Sequence, residues 1–191
     1  MEIAVIGTGY IGGILGTALA RAGHVVRFGS RHPGDDTVAD ATDATIVPIP
    51  ESLAGADVVV LAVPASAVGA LVAEHGGLLS GQLVIDATNR MGAAAANCRD
   101  ELPADVRYAR AFNTLSGEVM AQPRFADGVA DLYFSAPADD RSTVEAMVAG
   151  VGLHPVYVGA DQEELIDGVF KLWIALAAEH GRRHAFHLME D

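Results

Sequence analysis

Ile3-Ala4-Val5-Ile6-Gly7-Thr8-Gly9-Tyr10-Ile11-Gly12, continuing through small residues to Ala22, reads as a strand, a glycine turn and a helix. The order carries more information than the glycines do, because a chain with 21 glycines in 191 residues can produce a GxGxxG by composition alone. In a strand-turn-helix unit the first glycine makes the tight turn, the second lets the backbone approach a pyrophosphate, and the third packs helix on strand. Those roles fall to Gly7, Gly9 and Gly12. The amides at the helix start have no partner inside the helix, and with the helix dipole they form an anion site that needs no basic side chain. A dinucleotide pyrophosphate is the expected occupant.

Gly23 stops the helix, and His24-Val25-Val26-Arg27-Phe28 reads as the second strand. Its end discriminates between nicotinamide cofactors. A free ribose 2′-hydroxyl wants an Asp or Glu about twenty residues past the glycines, whereas a 2′-phosphate is repelled by a carboxylate and wants hydroxyls and Arg. Gly29-Ser30-Arg31 stands there. Ser30 can donate a hydrogen bond and Arg31 a charge-assisted one, so NADP(H) is expected over NAD(H). The alternative makes Ser30 and Arg31 plain loop residues and gives the ribose to Asp35 or Asp36. His32-Pro33-Gly34 is a turn expected to lead those aspartates away.

A 51% hydrophobic chain of this length can bury a full core. No apolar run approaches the roughly 20 residues that span a bilayer, and Glu2 with the early glycines argues against a signal peptide, so a cytoplasmic protein is expected. The net charge of −13 disfavours nucleic acid or an anionic membrane as partner. Cys98 is the single cysteine, which rules out an intrachain disulfide and is expected to be a buried, neutral thiol.

Further strands are expected at Ile46-Val47, Asp57 to Val63, Leu83 to Ala87, Val106 to Phe112, Asp131 to Ala136 and Val156 to Val158. The clearest helices are Ala65 to His75, Ser116 to Ala121 and Arg141 to Ala149. Near-continuous apolar strands such as Val58 to Val63 imply a sheet covered on both faces, hence a Rossmann-type, doubly wound α/β fold with a mainly parallel sheet. Residues 1–160 are expected to form this domain. Residues 161–191 form a small carboxy-terminal helical part, whose broad apolar stripe around Trp173 is available for packing or dimerisation.

Ligands of open α/β sheets lie across the carboxyl ends of the strands. Val63 and Pro64 follow one strand, Thr88-Asn89-Arg90 the next, and Ala111-Phe112-Asn113-Thr114 the one after. Asn89 and Asn113 are candidate catalytic or orienting residues, since an amide can hold a nicotinamide carboxamide or a substrate carbonyl; each could equally be a loop-bracing residue. No acid-base constellation and no convincing metal site is present. The cluster His180, Arg182, Arg183, His184, His187 reads better as a basic surface meeting an acidic cosubstrate. Without a proton donor, direct hydride transfer between two redox cofactors is favoured, because it needs mainly proximity and orientation.

The combination GTGYIG, GSR, AVP after Leu61, DATN from Asp86, RAFNT from Arg110 and a carboxy-terminal LW-containing helix resembles the coenzyme F(420)-dependent NADP oxidoreductase family, the NADPH:deazaflavin reductases, over essentially the whole chain. The resemblance implies NADP(H) on Gly7, Thr8, Gly9, Tyr10, Ile11, Gly12, Ser30, Arg31, Val63 and Pro64, with Asn89 and Ala111 also at the cofactor. It implies a second pocket walled by Asn89 and the Ala111 to Thr114 loop, where coenzyme F(420) accepts or returns the hydride, and a homodimer. Arg90, Arg110 and the Arg182-Arg183 pair are the cations available to an acidic F(420) tail. Two other readings stand beside it: an NADPH-dependent reductase of a small imine, carbonyl or dehydroamino acid, and a non-catalytic dinucleotide sensor.

Overall fold

β1 (Glu2–Ile6) is the central strand of a six-stranded, all-parallel sheet in a computed structural model that describes residues 1–36, 38, 44–92 and 96–189. On one side of it lie β2 (Val25–Ser30) and β3 (Thr45–Pro48). On the other lie β4 (Val58–Leu61), β5 (Leu83–Asp86) and β6 (Arg107–Arg110). The resulting order 3-2-1-4-5-6 is the Rossmann order, with its switch point between β1 and β4. Ile6 sits in register with Gly29 and with Leu61, so Gly7, Ser30 and Ala62 emerge together at one edge of the sheet.

Both faces of the sheet are covered, as the apolar strands required. Ile3 and Val5 face one core, shared with Leu15 and Leu19 of α1 (Tyr10–Arg21), while Ala4 and Ile6 face the other. That second core takes Leu53 of α2 (Ile49–Leu53) and Leu71 of α3 (Val68–His75). Each fully buried Val, Leu or Ile contributes about 1.5–3 kcal/mol, against about 0.3–0.5 kcal/mol for an exposed helical ion pair such as Arg141–Glu145. The two apolar layers therefore hold the fold. α2 was not legible in the sequence because Pro48 and Pro50 read as breaks. Pro50 in fact lies in the first turn, where a missing N–H costs nothing.

After β6 come α4 (Gly117–Ala121), capped by the Ser116 side chain, and a hairpin of β7 (Arg124–Phe125) and β8 (Gly128–Val129). β9 (Asp131–Phe134), α5 (Arg141–Val151) and β10 (His154–Tyr157) follow. β9 and β10 do not extend the main sheet; they pair with each other in parallel, and an Arg110–Ser135 bridge ties the end of β9 to β6. The last helix, α6 (Glu163–His180), packs on β6 and β9. Trp173 enters the same core as Ile3 and Val5, and its indole Nε1 donates to the His184 carbonyl at 3.1 Å. No helix among the described residues is long and apolar enough to cross a membrane.

Candidate functional site

The three glycines of the first turn differ in what holds them there. Gly7 has φ +116°, and a Cβ on it would lie 2.6 Å from the Ala62 carbonyl oxygen. On Gly12 a Cβ would lie 2.1 Å from the Gly7 carbonyl oxygen. Both are required by the protein itself. Gly9 is not: its φ of −70° suits any residue, and an added Cβ would meet nothing within 4 Å among the described residues. α1 begins there with no side-chain cap and no acidic residue in its first turn. The arrangement leaves helix N–H groups and open space together, which fits a pyrophosphate.

A cleft of about 610 Å³ runs from this turn along the switch point and gathers Gly7, Thr8, Gly9, Ser30, Arg31, Val63 and Pro64. Tyr10 is exposed and its ring lies against Gly117; with Thr8 and Gly9 it borders a second cleft of about 650 Å³ between α1, α4 and α5. Ile11 is half-buried and packs on the core.

Asp36 also lines the first cleft, contrary to the expectation that the turn carries it away. The backbone amides of Asp35 and Asp36 both return to the His32 carbonyl, at 3.0 and 3.1 Å, which folds the turn back on itself. The Asp36 carboxylate accepts from Ser30 Oγ and from Thr8 Oγ1, the latter at 3.0 Å. Those two hydroxyls, Ser30 first, hold its pKa below the ordinary carboxylate value.

At the other end of the site the asparagines divide. Asn89 is a brace: its Nδ2 donates to the Asn113 carbonyl at 2.8 Å and its Oδ1 accepts from Arg110 at 3.1 Å. Asn113 is 1% exposed, and neither atom of its side-chain amide has a partner among the described residues; the same holds for Thr114 Oγ1. Each such buried group costs about 1–3 kcal/mol when left unsatisfied. The turn into Asn113 is itself strained, with Phe112 at φ +62°. Ala111 is fully buried, its amide directed at the Asp86 carbonyl.

Beneath this loop lies a charged cluster that sequence reasoning did not find. Arg110 is 0% exposed and lies between Asp86 at 3.1 Å and Asp167 at 2.9 Å. Asp86 also accepts from the Thr88 and Cys98 amides and from the Tyr108 hydroxyl at 2.7 Å. Asp167 accepts from the Ala96 and Asn97 amides and from the Asn97 side chain. Burial, reinforced by Asp86, pushes the Cys98 thiol and the Tyr108 phenol far up, so both stay protonated. The available signal was a carboxylate, Asp167, inside the apolar stripe of α6.

Arg110 is therefore not a surface cation for an acidic tail, as expected from the sequence; burial and two carboxylates consume it. Arg90 pairs with Glu101, Arg182 with Glu118 at 3.0 Å, and Arg183 donates to the carbonyls of Gln122 and Arg124. The carboxy-terminal basic cluster is largely spent on fastening the tail.

Residues 2–90, which contain the glycine turn, Ser30-Arg31 and Asn89, match the family described as NADP oxidoreductase, coenzyme F(420)-dependent. The match covers residues 2–90 of the 191-residue chain, the part that carries the glycine turn and the end of β2. The matched family is one of NADP-dependent oxidoreductases, and the segment that matches is the one whose glycine turn and β2 end suit NADP(H). A crystal structure from Arthrobacter sp. FB24, provisionally named an F(420)-dependent NADP-reductase, is 22% identical with TM-score 0.81, and 100% of each chain is covered. A hypothetical protein from Sinorhizobium meliloti is 24% identical with TM-score 0.68, covering 100% of this chain and 96% of that one. Reductive aminase from Aspergillus terreus, solved with NADPH, is 19% identical with TM-score 0.69 over 92% of this chain but 60% of its own. These likenesses show the shared fold. No curated protein sequence matches the chain.

Proposed function

We propose that the protein transfers hydride between NADP(H) and a second redox cofactor of the deazaflavin F(420) class. NADPH supplies the hydride from its nicotinamide ring; the chain supplies place and orientation. Gly9 and the open start of α1 take the pyrophosphate, Ser30 and Arg31 the 2′-phosphate, and Val63-Pro64 the edge of the cleft. The observation that carries the acceptor end is the Asn113 amide, a donor and an acceptor with no partner among the described residues, set in a strained turn. Around it the titratable groups Asp86, Arg110 and Asp167 are committed to one another. A reaction that needs orientation rather than a proton donor suits such an environment.

Reduction of an imine would instead call for a proton donor, and the titratable groups beneath this loop, Asp86, Arg110 and Asp167, are engaged with one another. Mixing the protein with oxidised F(420) and saturating NADPH should bleach the deazaflavin absorbance; an unchanged spectrum would sink the proposal. We also infer a homodimer through the outer face of α6, where Leu165 and Leu172, two turns apart, are 53% and 52% exposed.

A further inference from the structure

We propose that Asp36 sets the discrimination between NADP(H) and NAD(H): its carboxylate holds the two hydroxyls a 2′-phosphate would use, and must leave before that phosphate seats. The inference rests on the NADP reading of this cleft. Ser30 Oγ has one proton, which goes to Asp36, while its lone pairs receive the His32 amide at 2.8 Å. Thr8 Oγ1 gives its single proton to the same carboxylate. A carboxylate on two hydroxyls beside Arg31 and His32 is an anion seated on anion-binding groups, an internal stand-in for the phosphate.

The two cofactors meet this carboxylate differently. A 2′-phosphate has no proton to offer it and is repelled at contact distance, so NADP(H) has to displace Asp36 and recover Ser30 and Thr8 for itself. A 2′-hydroxyl can donate to Asp36 where it stands. The residue thus lowers affinity for the phosphorylated cofactor and spares the other. Asp36 connects the glycine turn to the end of β2, so its departure frees Thr8 Oγ1 together with Ser30 Oγ for the 2′-phosphate. The sequence distance from the end of β2 hides this role, because only the back-folded turn after His32 returns the carboxylate to the cleft.

Asp36→Asn removes the charge at nearly constant size, and Asp36→Ala removes the acceptor altogether. Equilibrium binding of NADPH and NADH, followed by nicotinamide fluorescence, is compared with competition by 2′,5′-ADP and 5′-ADP. Both variants are expected to tighten NADPH and 2′,5′-ADP on the order of tenfold, leaving 5′-ADP and NADH, which share the free 2′-hydroxyl, unchanged or weaker. An unchanged or reduced NADPH-to-NADH affinity ratio in both variants, with wild-type protein binding NADPH, overturns this inference alone. Wild-type protein that binds neither dinucleotide overturns the nucleotide reading and this inference with it.

Discussion

Gly9 separates what a glycine does for the fold from what it does for a ligand. Gly7 and Gly12 are held by contacts with Ala62 and Gly7 that no side chain could share, whereas nothing in the described protein opposes a methyl group on Gly9. Gly9→Ala is therefore expected to change stability by no more than about 1 kcal/mol, the usual range for an N-cap glycine, while weakening NADPH at least tenfold. Gly12→Ala should instead lower the melting temperature, since its Cβ strikes backbone. Thermal melts and nucleotide titrations of the two variants check this; equal loss of affinity and stability in both would refute it. At this scale the glycine roles were legible because they follow from local turn geometry. The roles of Asn89, Asn113 and Asp36 were not. An amide braces or binds according to the partners that the fold brings, and Asn89 was given two while Asn113 kept none among the described residues.

The carboxy-terminal helix is tied to β6 and to the segment after β5 by a buried carboxylate. Asp167 of α6 accepts from Arg110 of β6 and from the amides of Ala96 and Asn97 in the segment after β5. Asp167→Ala leaves those donors without their acceptor and Arg110 with one carboxylate in place of two. Removing a partner from a buried charge costs about 3–5 kcal/mol, so urea unfolding should shift by that order, with NADPH affinity of the remaining folded protein changed less. A shift below about 1 kcal/mol would mean that the cluster is not the fastening it looks to be. Elements with a strong period, such as β1, β4 and α6, could be read in advance because apolar spacing states which face is covered. α2 and the separate β9-β10 pair could not: one starts between two prolines that read as breaks, and the other has strand propensity but no local signal of which sheet it joins.

Across the whole molecule, the exposed leucines of α6 lie on a flank turned away from the buried Ile166, Phe170 and Trp173, on a helix that packs on β6 and β9. If that outer face joins two copies, Leu172→Asp should convert the dimer to a monomer in sedimentation while leaving the far-ultraviolet spectrum unchanged. A wild-type monomer, or a variant that sediments as the wild type does, would count against the association. The sequence by itself determined the doubly wound sheet, the glycine turn and the position of Ser30 and Arg31 at the end of β2, because each depends on residues within one strand-turn-helix unit. Only the tertiary structure decided that Asp36 returns to Ser30 and Thr8, that Arg110 is buried between two carboxylates, and that the Asn113 side chain rather than that of Asn89 has no partner among the described residues. Those outcomes depend on partners 57 residues apart for Arg110 and Asp167 and 28 for Thr8 and Asp36, distances over which no local pattern records who will meet whom.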